Sequence, residues 1–377
     1  DNITQKLQTG VGVNLINADV LVDVPTSENS SLQLSARKSI NDLVKTPSYK
    51  QYFKKAFQNS EVVNSSTDVI NTDDDFSFHD INMRWMYQLS DQDKIRVNFL
   101  TVENNLLFTE NAVVMAQEES KESSASQNNI ATSVFYHRSW SDRFSTETQL
   151  YMTKYLLKST NSDIVNQQRL IQENEVLEES IRMDSQYKLT DNFTLYNGYE
   201  YVETGVSNIQ DVDNPLFRTK IKEVIRAHGF SSQLGYQSEN RTTNFRAGLR
   251  MNYLEKFGEY FLEPRLSFSQ RLLGSFTFEV LGELKHQTTT QIIDFQNDFL
   301  GVENRRWILS NQQDIPIVKS KQTSVGLHYH KKGWLVSAEG YYKFVDGITS
   351  KGQGFQNQYK FSKTNGNYTV YGSDLLI

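Results

Sequence analysis

The sequence of 377 residues contains no cysteine, only 5 prolines and no long apolar run. Without cysteine there is no disulfide framework, no thiolate zinc site and no cysteine nucleophile. No apolar stretch approaches the ~18 residues that a membrane-spanning helix needs, although the alternating strands of a β-barrel would escape that criterion. The formal net charge of −6 excludes a strongly basic nucleic-acid-binding surface, so we expect no nucleic-acid partner.

The chain is poor in hydrophobic residues yet rich in aromatic ones. Hydrophobic residues make up 37% of the sequence, while aromatic residues reach 12% with 22 Phe and 19 Tyr. Disordered chains are poor in aromatic residues, and ordinary soluble domains are more hydrophobic overall. The composition therefore indicates an ordered protein with a large polar interior and a thin apolar exterior.

Alternation with a period of two is the dominant pattern. In the segment 81–89 every odd position is large and apolar, and after a short polar turn the alternation resumes at Ile95, Val97 and Phe99. Two such runs joined by a polar turn predict a β-hairpin with one apolar and one polar face. The same pattern recurs in the segments 18–37, 130–153, 181–201, 230–253, 266–284 and 325–342.

The connections between these runs alternate in length. Short polar turns alternate with long connections, which we place at 38–77, 102–128, 155–178, 203–224 and 286–320. Short turns at one end and long connections at the other are typical of an outer-membrane barrel, with the short turns in the periplasm. We predict an all-β, transmembrane, antiparallel up-and-down β-barrel in which this chain supplies about sixteen strands. The alternative, a soluble β-sandwich, has short connections at both ends.

Aromatic and charged residues support a wide barrel. Aromatic residues flank the short turns, as expected of a belt at a membrane boundary: Tyr87, Trp140, Phe144, Tyr187, Phe193, Tyr236, Phe245, Phe276 and Trp334. The polar faces carry charges that favour a wide barrel with a polar lumen over a small, packed one, with the solvated outer face of a soluble sheet as the alternative. These charged residues are Arg84, Arg96, Arg182, Arg246, Arg250, Arg265 and Arg271 with Asp184, Glu263, Glu279, Glu283 and Lys285.

One hairpin has a predicted register. Pairing Leu272 with Phe276 across the turn makes opposed residue numbers sum to about 548, which places Phe268 opposite Val280 on the apolar face. The polar face then holds the opposed pairs Arg265–Glu283 and Glu263–Lys285, and the outward pair beside them is Pro264–Leu284. A slip of one residue would move Arg265 to the apolar face.

Six motifs follow one another along the chain. They are Ser31-Leu-Gln-Leu-Ser-Ala-Arg-Lys-Ser-Ile-Asn-Asp-Leu with Thr46-Pro-Ser-Tyr-Lys-Gln-Tyr-Phe, then Asp75-Phe-Ser-Phe-His-Asp-Ile-Asn-Met-Arg-Trp, Tyr260-Phe-Leu-Glu-Pro-Arg-Leu-Ser-Phe-Ser, Asn311-Gln-Gln-Asp-Ile-Pro-Ile-Val-Lys-Ser and Trp334-Leu-Val-Ser-Ala-Glu-Gly-Tyr-Tyr-Lys. In this order they resemble segments of TonB-dependent outer-membrane receptors of the Bacteroidetes type. Each motif alone is weak, and their order along the chain carries the resemblance.

The resemblance implies a 22-stranded barrel, an N-terminal plug domain and nutrient import energised through TonB. It places the protein in the bacterial outer membrane, with the lipid bilayer, lipopolysaccharide and TonB as partners and a surface lipoprotein as a further candidate. No plug-like stretch or TonB box precedes the first strand, so we expect residues 1–377 to be part of a barrel whose plug and final strands lie outside this sequence.

Other function classes stay open as alternatives. They are a passive porin-like channel, a structural barrel of a larger outer-membrane complex and an outer-membrane enzyme. The sequence has no His-Glu-x-x-His, Gly-x-Ser-x-Gly or phosphate-binding glycine motif, so we expect no enzyme, no catalytic residues and no cofactor. The transported ligand and its binding residues cannot be read from the sequence.

Three segments offer weaker signals. The run Asp73–Asp75 could suggest calcium, but it lacks the spacing of a calcium loop, and the pair His328 and His330 could suggest a metal. We expect no metal at either place, and we expect the acidic residues Glu118, Glu119 and Glu122 to be solvated. Aromatic residues near helical spacing predict a short helix over 47–57.

Overall fold

The computed structural model describes residues 3–41, 43–44, 46–49, 51, 69–114, 117–163, 168–294, 306–354 and 357–377. Nearly all of them lie in antiparallel β-strands. The strands are β1 (Gln8–Val13), β2 (Asn17–Ser27), β3 (Ser30–Ser39), β4 (Val69–Gln88), β5 (Asp93–Val114), β6 (Gln117–Ser141), β7 (Phe144–Asp163), β8 (Gln168–Lys188), β9 (Phe193–Asp213), β10 (Leu216–Gln237), β11 (Thr243–Leu254), β12 (Glu259–Leu272), β13 (Phe276–Gln287), β14 (Thr289–Gln291), β15 (Ile293–Asp294), β16 (Trp307–Leu309), β17 (Val318–Lys331), β18 (Trp334–Gly354) and β19 (Asn357–Leu376).

Sixteen of these strands form one meander in which each strand pairs with the next along the chain. The order runs from β1 to β13 and continues through β17, β18 and β19, all antiparallel. The three short strands β14, β15 and β16 belong to the connection between β13 and β17. Among the described residues no register joins β1 to β19, so the sheet is open. The sixteen-stranded meander predicted from the sequence is confirmed.

Among the residues that the structure describes, no helix is long and apolar enough to span a membrane. The described part of the predicted 47–57 helix, Pro47–Tyr49 with Gln51, has helical backbone. The remainder of that prediction lies outside the described residues.

The registers keep the apolar and polar faces continuous across the meander. Phe245 of β11 is opposite Phe268 of β12, which is opposite Val280 of β13, which is opposite Val325 of β17. On the alternate positions, polar residues meet in the same way. A side-chain period of two requires this continuity, because a slip of one residue between any two strands would exchange the faces.

The predicted hairpin between β12 and β13 has the predicted register. Opposed pairs run from Leu272–Phe276 to Arg265–Glu283, and Phe268 faces Val280. The Arg265 Nε and Glu283 Oε2 atoms lie 3.9 Å apart on the polar face. The alternation of side chains thus fixes this register.

The pairing ends two steps earlier than predicted. The expected pairs Pro264–Leu284 and Glu263–Lys285 are absent from the registered pairs of β12 and β13. Proline has no N–H group with which to continue a ladder. The Glu263 carboxylate instead accepts hydrogen bonds from the backbone N–H of His286, at 2.9 Å, and from its ring Nδ1, at 2.7 Å. A side chain therefore replaces the ladder beyond Arg265, and Lys285 pairs with Glu283 at 2.6 Å.

Three of the predicted long connections are strands rather than loops. The segments 102–128, 155–178 and 203–224 mostly extend β5 to β10 beyond the apolar band. Cross-strand ion pairs hold these extensions, such as Lys154–Glu175 at 2.8 Å and Lys158–Glu173 at 3.0 Å. Polar and charged residues occur on both faces here, and the buried apolar residues, such as Leu106, Leu157 and Val206, are isolated. The regular alternation that marks a strand is therefore missing from the sequence.

Aromatic residues at the short turns lie against one another across neighbouring strands. Phe144 lies against Tyr187 with centroids 6.2 Å apart, and Phe193 against Tyr236 at 4.9 Å. Phe276 lies 5.0 Å from Tyr329 on the next strand. These registered neighbours all lie at one end of the sheet, where amphipathic rings favour a membrane–water boundary.

Candidate functional site

The polar face carries a network of opposite charges. The Arg250 Nη2 atom lies 2.7 Å from Glu200 Oε2, and the Arg182 Nε atom lies 2.6 Å from Asp184 Oδ2. The registers place every member of the charged set predicted from the sequence on this face. We call it the luminal face, because both segments that fold over the sheet pack against it.

The first inward segment comprises the described residues between 40 and 51, which follow β3: 40–41, 43–44, 46–49 and 51. Its Tyr49 is 1% exposed and packs with Phe76, Phe78 and Leu106. The Tyr49 hydroxyl donates to the Phe76 carbonyl at 3.1 Å and accepts from the Phe76 N–H at 3.0 Å. Because Phe76 lies six residues beyond Asn82 on the luminal side of β4, this segment covers the luminal face at the end opposite the short turns.

Side-chain hydrogen bonds hold the same segment in place. The Thr46 hydroxyl donates to the Leu15 carbonyl at 2.6 Å, and the Asn41 amide donates to Asp75 at 3.1 Å. Aromatic side chains with polar ends are suited to this position, because the ring is buried while the hydroxyl is satisfied. The segment therefore forms a fixed apolar lining at the mouth of the lumen.

The second inward segment is the described part of the connection 288–317 between β13 and β17, namely residues 288–294 and 306–317. Strands β14 and β16 pair within it, and β16 lies against β8, β9 and β10. Its hydrophobic anchor is Leu309, which is 3% exposed and packs with Val206 and Ile225. A long connection joins β13 to β17 as predicted at 286–320, and its described part around β16 lies against the luminal face.

Two asparagines clamp the backbone of this segment to the wall. Asn174 and Asn208 are opposite each other on β8 and β9, and both point to the luminal side. Asn174 accepts from the Trp307 N–H at 2.9 Å and donates to the Trp307 carbonyl at 3.0 Å. Asn208 donates to the same carbonyl at 3.1 Å. We call this arrangement the asparagine clamp. Together the two side chains offer the Trp307 backbone two amide N–H donors and one oxygen acceptor. They thus take the place of the main chain of a neighbouring strand.

Further contacts tie the segment to other parts of the wall. Lys256, in the turn after β11, bonds the Ser310 carbonyl at 3.4 Å, and Lys363 of β19 pairs with Asp314 at 2.7 Å. Hydrogen bonds from Lys363 and then from Asn311 hold the pKa of the Asp314 carboxyl below its ordinary value. The segment is therefore anchored on either side of β12 and β13, next to the turn after β11 and at β19. Strands β11, β12 and β13 are shorter than β5 to β10.

The weaker sequence signals take ordinary structural places. Asp73 and Asp74 lie in β4, while Asp75 accepts a hydrogen bond from Asn41. His328 bonds Ser337 through Nδ1 at 2.8 Å, and its Nε2 lies 3.4 Å from Glu279. In the ranges given above, no group of three His, Cys, Asp or Glu residues could hold a metal ion. Glu118 and Glu119 lie in β6, and their side chains are outside the described residues.

Sequence reasoning missed both inward segments and the asparagine clamp. Asn174 and Asn208 occupy ordinary inward positions of polar strands, and nothing distinguishes them from the other asparagines there. Their role depends on the backbone of Trp307, which is 133 residues from Asn174 along the chain. Pairing of a side chain with a distant main chain leaves no periodic signal.

Comparison of the whole fold with solved structures finds outer-membrane receptors and transporters. The ferric enterobactin receptor PfeA of Pseudomonas aeruginosa superposes with a TM-score of 0.65 and 12% identity over 95% of this chain. The copper transporter OprC matches 99% of the chain with a TM-score of 0.64 and 10% identity, and the RagAB peptide importer matches 95% with 0.61 and 10%.

The chain has the fold of a TonB-dependent receptor barrel. It spans about half the length of these structures, covering 56% of PfeA, 58% of OprC and 47% of RagAB. No protein-family model matches the sequence, and no curated protein matches it. The likeness therefore lies in the fold, as the identities of 10% to 12% show.

Proposed function

We propose that this chain forms part of the wall of an outer-membrane receptor that imports a nutrient with energy supplied through TonB. The observation that carries the proposal is the sixteen-stranded meander with an apolar outer face and a charged luminal face, which superposes on solved receptors and transporters. Those proteins are named as a ferric enterobactin receptor, a copper transporter and a peptide importer. Transport rather than catalysis is therefore the activity we infer here.

The proposal includes partners and parts outside this chain. A plug domain would dock against the luminal charges, and TonB would act on that plug from the periplasm. The lipid bilayer and lipopolysaccharide would cover the apolar face, and a surface lipoprotein would contact the end that carries the inward segments. The fold shared with solved receptors supports TonB and the bilayer as partners, and the match to RagAB supports a lipoprotein partner. The lumen of a wide barrel is either water-filled or plugged, and the receptor interpretation implies a plug.

The test compares gene and TonB deletions. Strains lacking the full-length gene, TonB, or both are grown with one scarce nutrient at a time: a ferric siderophore, copper, a peptide mixture or a glycan. We expect one nutrient on which the gene deletion slows growth, with no further loss in the double deletion. A growth defect that is equally large with and without TonB would contradict energised import.

Conductance separates the receptor from a passive channel. The full-length protein in a planar bilayer should conduct little until urea unfolds the plug. Large, steady conductance without urea would favour the porin-like alternative.

A further inference from the structure

A groove crosses the apolar outer face above the middle of β13. It has a volume of 530 Å³ and runs over β11, β12, β13, β17 and β18. Its floor is made by Ala247, Gly282 and Thr323, and its walls by Leu266, Leu284 and Tyr342. The registers place all six on the outward side, opposite the luminal charges.

The groove exists because one residue in its floor has no side chain. Gly282 is opposite Leu266 on one strand and Thr323 on the other. A Cβ atom built on Gly282 would meet only the Gln322 carbonyl oxygen, at 4.0 Å. A side chain would therefore fit here without a clash, so the depression is open space on the bilayer side of the sheet.

A cation stands at one end of the groove. Lys321 is opposite Leu284 and is exposed on the outward side. Outward positions of β17 are uncharged from Tyr329 to Thr323, and Lys321 is the first charge that follows. Among the described residues no carboxylate forms an ion pair with Lys321. This end of β17 is the one away from the short turns, so in the proposed orientation it lies in the outer leaflet.

We propose that the groove binds an acyl chain of a phosphorylated glycolipid of the outer leaflet, with a lipid phosphate at Lys321. The proposal rests on the outer-membrane location inferred above. The apolar floor and walls suit a hydrocarbon chain. A lysine ammonium is a compact charge that binds phosphate well, and Lys321 lies where the chain would meet the headgroup. Charge complementarity and the outer-leaflet position select this lipid over a zwitterionic or neutral one.

The experiment measures lipid retained by the full-length protein after extraction in mild detergent. Purified protein is incubated with lipopolysaccharide, washed, and analysed for bound glycolipid by native mass spectrometry. Gly282→Leu fills the groove, and Lys321→Gln removes the charge. We expect each of these two variants to retain at least threefold less lipopolysaccharide than the unsubstituted protein. We expect the unsubstituted protein to retain dephosphorylated lipopolysaccharide as poorly as the variants retain the phosphorylated form.

Two variants serve as matched controls. Gly340→Leu adds the same side chain at another outward glycine with no atom within 4 Å of its Cβ position, outside the groove. Lys220→Gln removes an exposed outward charge on β10. Both should retain lipid like the unsubstituted protein. If Gly282→Leu fails to assemble, as judged by gel mobility with and without heating, Lys321→Gln and the dephosphorylated lipid decide the question.

Several results would overturn the proposal. They are unchanged retention in Lys321→Gln, equal retention of the dephosphorylated lipid, preferential retention of a phospholipid, or dimerisation that Gly282→Leu abolishes. Cell fractionation of the unsubstituted protein tests the outer-membrane location separately. Its absence from the outer membrane would contradict the proposed function, whatever the lipid measurements show.

Discussion

Replacing Asn174 with alanine should release the inward segment 288–317 from the wall. The substitution removes two hydrogen bonds to the Trp307 backbone, at 2.9 and 3.0 Å, and one to Asn208 at 2.9 Å. A net contribution of about 1 kcal/mol for each of the two bonds to Trp307 gives about 2 kcal/mol. The packing of Leu309 against Val206 remains, so the barrel itself should assemble normally.

A loss of about 2 kcal/mol raises the population of the released segment by roughly thirtyfold, at 1.4 kcal/mol per factor of ten. Where opening and closing are fast, proteolysis follows that population. Protease added to intact cells should therefore cut between residues 306 and 317 about thirty times faster in Asn174→Ala. Hydrogen exchange at the Trp307 amide should rise by a similar factor.

The matched control is Asn98→Ala. Asn98 also lies on the luminal face and bonds Ser133 at 3.0 Å and Arg84 at 3.2 Å, with no bond to the inward segment. Its substitution should leave cleavage between 306 and 317 unchanged. If Asn174→Ala is cut no faster than the unsubstituted protein, or if Asn98→Ala is cut as fast as Asn174→Ala, the asparagine clamp does not hold the segment.

Three further predictions test other parts of the structure. Phe268→Asp or Val280→Asp should block assembly of the barrel, since a charge at the bilayer midplane costs up to roughly 2–4 kcal/mol. The control Ser267→Asp, on the luminal face, should assemble. Assembly is measured by gel mobility with and without heating. Gly347 has φ +86°, and a Cβ atom there would lie 2.8 Å from the Ile317 carbonyl oxygen. Gly347→Ala should therefore lower the thermal stability, by about 1–2 kcal/mol for the backbone conformation alone. The control Gly340→Ala should leave the thermal stability unchanged. Lys363 depresses the pKa of the Asp314 carboxyl. The anchoring by this ion pair is therefore complete above the ordinary aspartate pKa of about 3.9 and is lost as the pH falls below that value. Cleavage of the segment by an acid-active protease should rise in that range, and Asp314→Asn should remove the rise.

The sequence allowed prediction of those features that burial enforces at every second residue. Phe268 and Val280 had to share a face, so their register and the charge pair Arg265–Glu283 could be derived before the structure. The interruption at Pro264 was not predicted, because the pairing was extended by parity through a residue that has no N–H group. The replacement of the ladder by the Glu263 side chain depends on His286, 23 residues away.

The remaining features depend on polar contacts that have no period. The extensions of β7 and β8 are held by pairs such as Lys158–Glu173, whose residues look like loop residues in the sequence. The position of Tyr49 depends on the Phe76 backbone, which lies 27 residues away. Such contacts are specified by the folded wall and not by local pattern, so the lining of the mouth could not be predicted.

The orientation of the barrel is tested most directly by two matched thiols in the full-length protein. The chain has no cysteine, so Leu216→Cys and Leu273→Cys each introduce the one thiol that this chain carries. Both leucines lie at turns, on opposite ends of the sheet, and are 85% and 92% exposed. With a membrane-impermeant maleimide on intact cells, we predict labelling at position 216 and none at position 273 until the outer membrane is opened. Labelling of position 273 alone on intact cells would invert the barrel, and immediate labelling of both would contradict a membrane-spanning wall between them.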